Sequence, residues 1–372
     1  MSARVVNQLP IESFRTYHVS LPIEPPITSG RHFIDQIDHV LIEIHAGGLI
    51  GHGYTFGFST DQVRAVRWLV RDLAGSVVGR DAGAVKDVWD SLWERINFIG
   101  QAGASVMALA AVDTAMWDLL GQASGMPLYR LLGGEGGRVP LYAAGGWLSL
   151  PVEGLVEEAQ SFVADGYRAY KLRVGQADWR RDVERVAAVR DAIGPDVGLM
   201  VDVNQAWSVD QAIGFGKAIA PYGLGWIEEP VAADDFDGAA RVAAALDVPV
   251  AAGETVFTSA GFERIIDARA ADILQPDLMR CGGPTEFLRV LTLAERARLP
   301  VVSHLFAEIS AHLLCTTRRR LLAEHLPSWS SHLFSVGPVV EHGEIVLNDR
   351  PGLGVEFSSD TISRYAIDTE IQ

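Results

Sequence analysis

Three acidic residues stand at equal steps along the chain, each closing a short apolar run. Asp202 ends Leu199-Met-Val-Asp202, Glu228 ends Gly225-Trp-Ile-Glu228, and Glu254 ends Val250-Ala-Ala-Gly-Glu254, with a step of 26 residues each time. A step of that size is one strand-plus-helix unit of a parallel barrel, whose eight repeats share about 250 residues. Carboxylates at the C-terminal tips of successive strands converge on one point, where their oxygens repel one another unless a hard cation lies among them. Such an all-oxygen set predicts a Mg2+ site formed by Asp202, Glu228 and Glu254.

The 372 residues leave room for such a barrel and a smaller companion. Residues 13–21 alternate in polarity and residues 40–45 run into a glycine turn, so both read as strands. The Pro-, Gly- and Ser-rich stretch between them, 22–33, reads as a loop. From Gln62 to Leu120 the period becomes helical, with Val106, Leu109, Val112, Ala115, Met116, Leu119 and Leu120 on one apolar stripe. Strands followed by helices describe an α+β unit. Beyond residue 137, short apolar runs alternate with amphipathic segments. The runs are 139–143, 168–174, 198–203, 224–228, 248–252, 273–275 and 300–303. Seven in succession favour a closed barrel over a doubly wound sheet, and no Gly-x-Gly-x-x-Gly turn follows an early strand.

A net charge of −16 sets the chain against nucleic acid and anionic membrane as main partners. It leaves open a small carboxylate substrate, because a bound cation dominates the field inside a cleft. Cys281 and Cys315 have neither a disulfide framework nor a metal-ligand spacing. The first residues lack the apolar core of a secretory signal, and no apolar run approaches the ~20 residues needed to span a bilayer. A soluble cytoplasmic protein is the expectation.

The residues at the other strand ends are also ionisable. Lys171 and Arg173 come first, then Asp202 with Asn204, Glu228, Glu254, Asp277, His304 and Glu324. At the C-terminal face of a barrel such residues point into the active site. An imidazole with a pKa near ~6.5 suits proton transfer at neutral pH, and a neighbouring carboxylate fixes its tautomer and raises its basicity. His304 and Asp277, on adjacent strands, are such a pair. The string 321–326 around Glu324 also fits an ordinary amphipathic helix.

The strings Lys171-Leu-Arg173, Val201-Asp-Val-Asn204, Trp226-Ile-Glu-Glu-Pro230, Gly253-Glu254, Gln275-Pro-Asp277 and Ser303-His-Leu-Phe306, followed by Glu308-Ile-Ser-Ala-His312, resemble the enolase superfamily, specifically its mandelate racemase subgroup. The resemblance extends to Ala115-Met-Trp-Asp-Leu-Leu120 and Pro127-Leu-Tyr-Arg-Leu-Leu-Gly-Gly134. It implies an α/β chain, with an N-terminal α+β capping domain (1–132), a modified TIM (β/α)7β barrel (133–335), and a segment returning to the cap (336–372). It further implies one Mg2+ per active site, a homo-oligomer, and removal of the proton α to a carboxylate. The ene-diolate left behind carries two negative charges, which the cation and Lys171 would offset. Glu324 matches the family's acid that hydrogen-bonds the substrate carboxylate, a role that suits a protonated carboxyl. Asn204 is expected to contact metal or substrate.

Arg173 departs from the pattern. Racemising members place a second Lys there as a base facing the histidine, whereas a guanidinium with a pKa above about 12 does not accept protons at neutral pH. Its fork of donors is suited instead to holding a carboxylate or hydroxyl. A single base suffices for β-elimination, in which His304 removes the α proton and returns it to the departing β-hydroxyl. Dehydration of an acid sugar to a 2-keto-3-deoxy acid is therefore the expected reaction. The alternatives are racemisation or epimerisation of a 2-hydroxy acid and cycloisomerisation of an acid-sugar lactone. Specificity is expected from cap segments 22–33, with Arg31 and His32, and 54–59, with Tyr54.

Overall fold

The alternating residues near the start of the chain build an antiparallel sheet. In the computed structural model, which describes residues 8–29, 32–330 and 332–371, strand β1 (Ile11–Thr28) pairs with β2 (Phe33–Ala46), and β2 with β3 (Leu49–Gly57). Much of the stretch read as a loop is thus strand: Ile27 pairs with Ile34 and Thr28 with Phe33. The ladder shifts register after Pro22, so Pro25 and Pro26 lie in an irregular stretch where the missing N–H donors are tolerated.

Helices α1 (Thr60–Val77), α2 (Val85–Arg95) and α3 (Ala104–Ser124) cover one face of this sheet. Val40, Ile42 and Ile44 of β2 share a core with α1 and α3, while Leu41, between them, packs with the barrel residues. The alternation of β2 therefore serves two cores at once. Helix α3 corrects the expectation about apolar length, because by length and composition it would cross a bilayer. Its 18-residue apolar window is 78% buried within the fold, the behaviour of a core helix. It lies close against β3, and a Cβ at Gly51 or Gly53 would collide with the carbonyl oxygens of Ala115 or Ala111.

The second part of the chain supplies eight parallel strands. These are β4 (Arg138–Gly145), β5 (Ala169–Arg173), β6 (Gly198–Asp202), β7 (Ile227–Glu228), β8 (Val250–Ala252), β9 (Ile273–Leu274), β10 (Val301–Ser303) and β11 (Arg320–His325). Each pairs with the next, and β11 returns to β4 through Ala323 opposite Leu141, closing the barrel. The string 321–326 is thus strand through His325 and not a helix. It fills the gap between β10 and β4, where an open sheet would leave two edges unpaired.

Beyond the barrel, β12 (Phe334–Val336) pairs with β15 (Glu356–Phe357), and the hairpin of β13 (Val339–Glu341) and β14 (Glu344–Val346) runs antiparallel to β4. Strand β16 (Ala366–Ile371) returns to the first sheet, opposite residues 15–19 of β1. Side-chain contacts hold the cap to the barrel. Asp113 of α3 accepts from the Thr285 amide and hydroxyl, each at 2.8 Å, and Trp117 Nε1 donates to Thr285 Oγ1 at 2.9 Å.

Candidate active site

Barrel register sets the level of the site. Arg173 stands opposite Asp202, and Asp202 opposite Glu228, so three strand ends deliver ionisable groups in one row. Glu254 follows the end of β8 by two residues. Lys171 and Arg173, two apart on β5, point the same way into the barrel, with Leu172 turned outward. Asp202, Glu228 and Glu254 each offer an oxygen within 4.8 Å of the others. Asn204 donates to both oxygens of Asp202, at 2.8 Å from its amide nitrogen and from Nδ2, and its own buried Oδ1 has no partner. An orphaned buried oxygen beside three converging carboxylates fits an oxygen-liganded divalent cation.

The remaining predicted groups surround this cluster. Lys171 is fully buried, with Nζ 2.5 Å from Glu228 Oε1 and 2.9 Å from Glu324 Oε1. Arg173 reaches Asp202 at 3.4 Å and Glu324 at 3.7 Å. Asp277 and His304 meet across the β9 and β10 ends as an isolated parallel bridge, and His304 Nδ1 lies 2.7 Å from Asp277 Oδ2. Asp277 is fixed in turn by the amides of Met279 and Arg280 at 2.8 and 2.7 Å. His304 Nε2 faces Glu254 at 3.2 Å and Glu324 at 3.8 Å.

Electrostatics divide these acids. Burial pushes Glu228 up to about 8 despite Lys171, and raises Asp202 as well. Glu254 behaves oppositely. Burial opposes ionisation there, but His304, Arg280 and Lys171 bring the carboxyl down to about 2. Burial would lower His304, yet Glu254, Glu324 and Asp277 outweigh it and hold the imidazole up at about 9. Glu324 corrects the expectation of a protonated acid. Burial raises it, but Lys171, His304 and Arg173 lower it further, so its pKa lies below the ordinary carboxylate value. The cations beside it, more than the acids beyond, decide its charge.

A cavity of about 230 Å³ opens above the cluster, smaller than the ~300–1,000 Å³ of drug-sized clefts and suited to a small acid. Arg173, Asp202, Asn204, Glu254 and His304 line it, while Lys171, Glu228, Asp277 and Glu324 are buried off its wall. Cap residues Ser29, His32, Ile34, Phe56 and Phe58 also reach it. Arg31 lies outside the described residues. Tyr54 does not line this cavity: it is 3% exposed, its ring packs on Phe306 at 5.2 Å between centroids, and its hydroxyl donates to Glu308.

Four polar wall residues escaped the sequence reading: Gln205, Glu229, Thr255 and Arg280. Three of them directly follow a residue picked from the strand ends, and that adjacency was the available signal. Asn204, Gln205 and Glu229 take φ of 48°, 63° and 38°, and Leu305 and Phe306 take 47° and 49°. Left-handed backbone at so many strand tips is local strain of the kind that gathers at active sites.

An eight-stranded parallel barrel under an α+β cap, with carboxylates, a histidine and two cations at its mouth, defines a metal-dependent barrel enzyme. The chain belongs to the enolase superfamily. Residues 154–361 match the enolase C-terminal domain-like family, and residues 11–133 match the mandelate racemase / muconate lactonizing enzyme N-terminal domain. It is 35% identical to the 3,6-anhydro-alpha-L-galactonate cycloisomerase of Streptomyces coelicolor, over 96% of this chain and 99% of that protein. Identity to the L-talarate/galactarate dehydratase of Salmonella typhimurium is 30%, over 91% of this chain and 86% of the other. A solved racemase from Streptomyces coelicolor A3(2) with bound magnesium superposes with a TM-score of 0.91 at 34% identity, covering 96% of this chain and all of that one. Mg2+ is the cofactor, and the all-oxygen donor set fits it.

Proposed function

We propose that this enzyme removes the proton α to the carboxylate of an acid sugar and expels the β-hydroxyl, giving a 2-keto-3-deoxy acid. The observation that carries this reading is an asymmetry: His304 is braced by Asp277 at 2.7 Å, whereas the group at the other lysine position of the pattern is the guanidinium of Arg173. In this reading Asp202, Glu228 and Glu254 hold one Mg2+. When bound, the cation polarises the substrate carboxylate and offsets the charge that grows there as the proton leaves.

The chain's own residues do the rest. His304 donates from Nδ1 to Asp277, and Nε2 would accept the α proton once a cation on Glu254 offsets the carboxylate charge that holds the imidazole up at about 9. The imidazolium then gives that proton to the β-hydroxyl on the same side of the substrate, water departs, and the enol product tautomerises. Arg173 offers its donors to a substrate carboxylate or hydroxyl. Lys171 places a second positive charge under the carboxylate, and the ionised Glu324 holds Lys171 and Arg173 in position. Asn204 fixes the orientation of Asp202.

Cycloisomerisation of an acid-sugar lactone or anhydro acid is the second reading. It begins with the same proton and expels a ring oxygen instead; the similarity to the Streptomyces cycloisomerase supports it, and Arg173 in place of a second lysine sets it ahead of racemisation. A panel of sugar acids and lactones, scored for keto-acid product and run beside chiral assays of 2-hydroxy acids, tests these readings. Keto acid from an open-chain sugar acid supports dehydration. Inversion of a hydroxy acid with no keto acid from any substrate would overturn it.

A further inference from the structure

His304 is followed at once by two residues with left-handed backbone. Leu305 and Phe306 take φ of 47° and 49°, and a buried helix, Ala307–Leu314, begins directly after them. Residues other than glycine hold such angles only where their surroundings leave no alternative. The place of the imidazole therefore depends on whatever fixes this turn.

Barrel and cap each grip it. On the barrel side the His304 amide donates to the Pro276 carbonyl at 3.1 Å, and the Leu305 amide donates to Glu324 Oε2, also at 3.1 Å. On the cap side Tyr54 of β3 donates its hydroxyl to Glu308, in the first turn of the helix, and its ring packs on Phe306. Tyr54, Phe306 and Glu308 are all buried. Burial and the charge of Glu308 push the Tyr54 phenol well above its ordinary pKa, so the proton stays on Tyr54 to be donated.

Packing alone does not close this region. A cavity of about 30 Å³ adjoins the turn, with Tyr54, Leu305, Phe306, Glu308 and Glu324 on its wall. That exceeds the ~10–15 Å³ taken by one water-sized sphere, so the turn has room to shift. The hydrogen bond from Tyr54 is a directional restraint where van der Waals contact is incomplete.

We infer that Tyr54 and Glu308 are positioning residues for His304: through this one buried hydrogen bond the cap sets where Nε2 stands. This rests on the reading of His304 as the base, and it links proton removal to the seating of the cap. Phe56, two residues beyond Tyr54 on β3, lies on the wall of the substrate cavity. Residues two apart on a strand share a face, so the contact that seats β3 over the substrate also seats the base.

Tyr54→Phe in the Mg2+-loaded enzyme removes the hydroxyl and keeps the ring. The first readout is NMR of the histidine ring nitrogens in protein made with isotope-labelled histidine, with His304 assigned by its loss in His304→Asn. The His304 resonances are expected to shift. Those of His312, held at the far end of the same helix by the Tyr129 amide and the Leu353 carbonyl, are expected to stay. The second readout is exchange of the α proton of gluconate, galactarate and mandelate with solvent deuterium. A displacement near 1 Å costs about 10²-fold, and the turn keeps its barrel-side bonds, so kcat for exchange is expected to fall about tenfold with KM and Mg2+ affinity unchanged. Glu308→Gln still accepts from the hydroxyl and is expected to restore most of both signals. If Tyr54→Phe does not fold, Tyr54→Phe combined with Glu308→Gln removes the same bond without leaving a bare buried carboxylate, and takes its place. If none of the three acids exchanges, the substrate class fails while the ring resonances decide the positioning role alone. Unmoved His304 resonances overturn that role, as does a shift of His312 as large as that of His304, or a fall in kcat that Glu308→Gln reproduces in full.

Discussion

At the scale of single residues the chemistry depends on which groups can take a proton. His304→Asn is expected to lower exchange of the substrate α proton with solvent deuterium by about 10³-fold, within the range found for general bases. Mg2+ affinity, measured by calorimetry, should survive, since the imidazole is not one of the three clustered carboxylates. Retained exchange would remove His304 from the role. Arg173→Lys tests the other half: a lysine at this position is expected to bring slow inversion of a 2-hydroxy acid, read by chiral assay, whereas the wild type shows none. Most of these residues were legible in sequence because each barrel strand delivers its last side chain to the rim, which makes spacing a reliable guide. What spacing does not carry is the company a side chain keeps. Glu324 stands where expected, but Lys171 at 2.9 Å pulls its pKa down where the crowd of acids was expected to raise it. Tyr54 is spent on Glu308, 254 positions away.

At the scale of elements, close packing dominates. Helix α3 approaches β3 so nearly that Gly53 has the Ala111 carbonyl where a side chain would begin. Gly53→Ala is expected to destabilise the protein by about 1–3 kcal/mol or more, seen as a lower urea midpoint. An unchanged midpoint would mean that helix and strand part easily. Periodicity revealed α3 and seven of the barrel strands, each with a run of apolar residues of its own. The eighth was ambiguous because Leu321 and Leu322 suit either a helix or a strand, and only the gap between β10 and β4 decides. The prolines of 22–26 misled for a related reason. They mark an absent donor, and the register shift after Pro22 accommodates that absence without ending the strand.

At the scale of the whole molecule, cap and barrel meet around a buried acid. Burial pushes Asp113 up to about 7, against the two hydrogen bonds from Thr285. Its folded pKa lies above the unfolded value of about 3.9, so its contribution to stability is complete below about pH 4 and is lost as pH rises to about 7. Asp113→Asn keeps an acceptor for the Thr285 amide without titrating. The melting temperature of the variant relative to wild type is therefore expected to climb between about pH 4 and pH 7 and then level off. A difference that stays constant with pH would place the titration elsewhere.

Strand β16 completes a sheet begun at residue 11, and it is synthesised roughly 350 residues after its partner β1. At about 5–20 residues per second, a ribosome takes roughly 20–70 s to make the intervening chain. Throughout that time the outer edge of β1 has its hydrogen-bonding groups unpaired, open to any other strand it meets. The same sheet carries Phe56, with Phe58 just past the end of β3, to the barrel mouth. A growing polypeptide would therefore hold all three metal-site acids and the histidine before it has a finished roof, and catalysis would wait on β16.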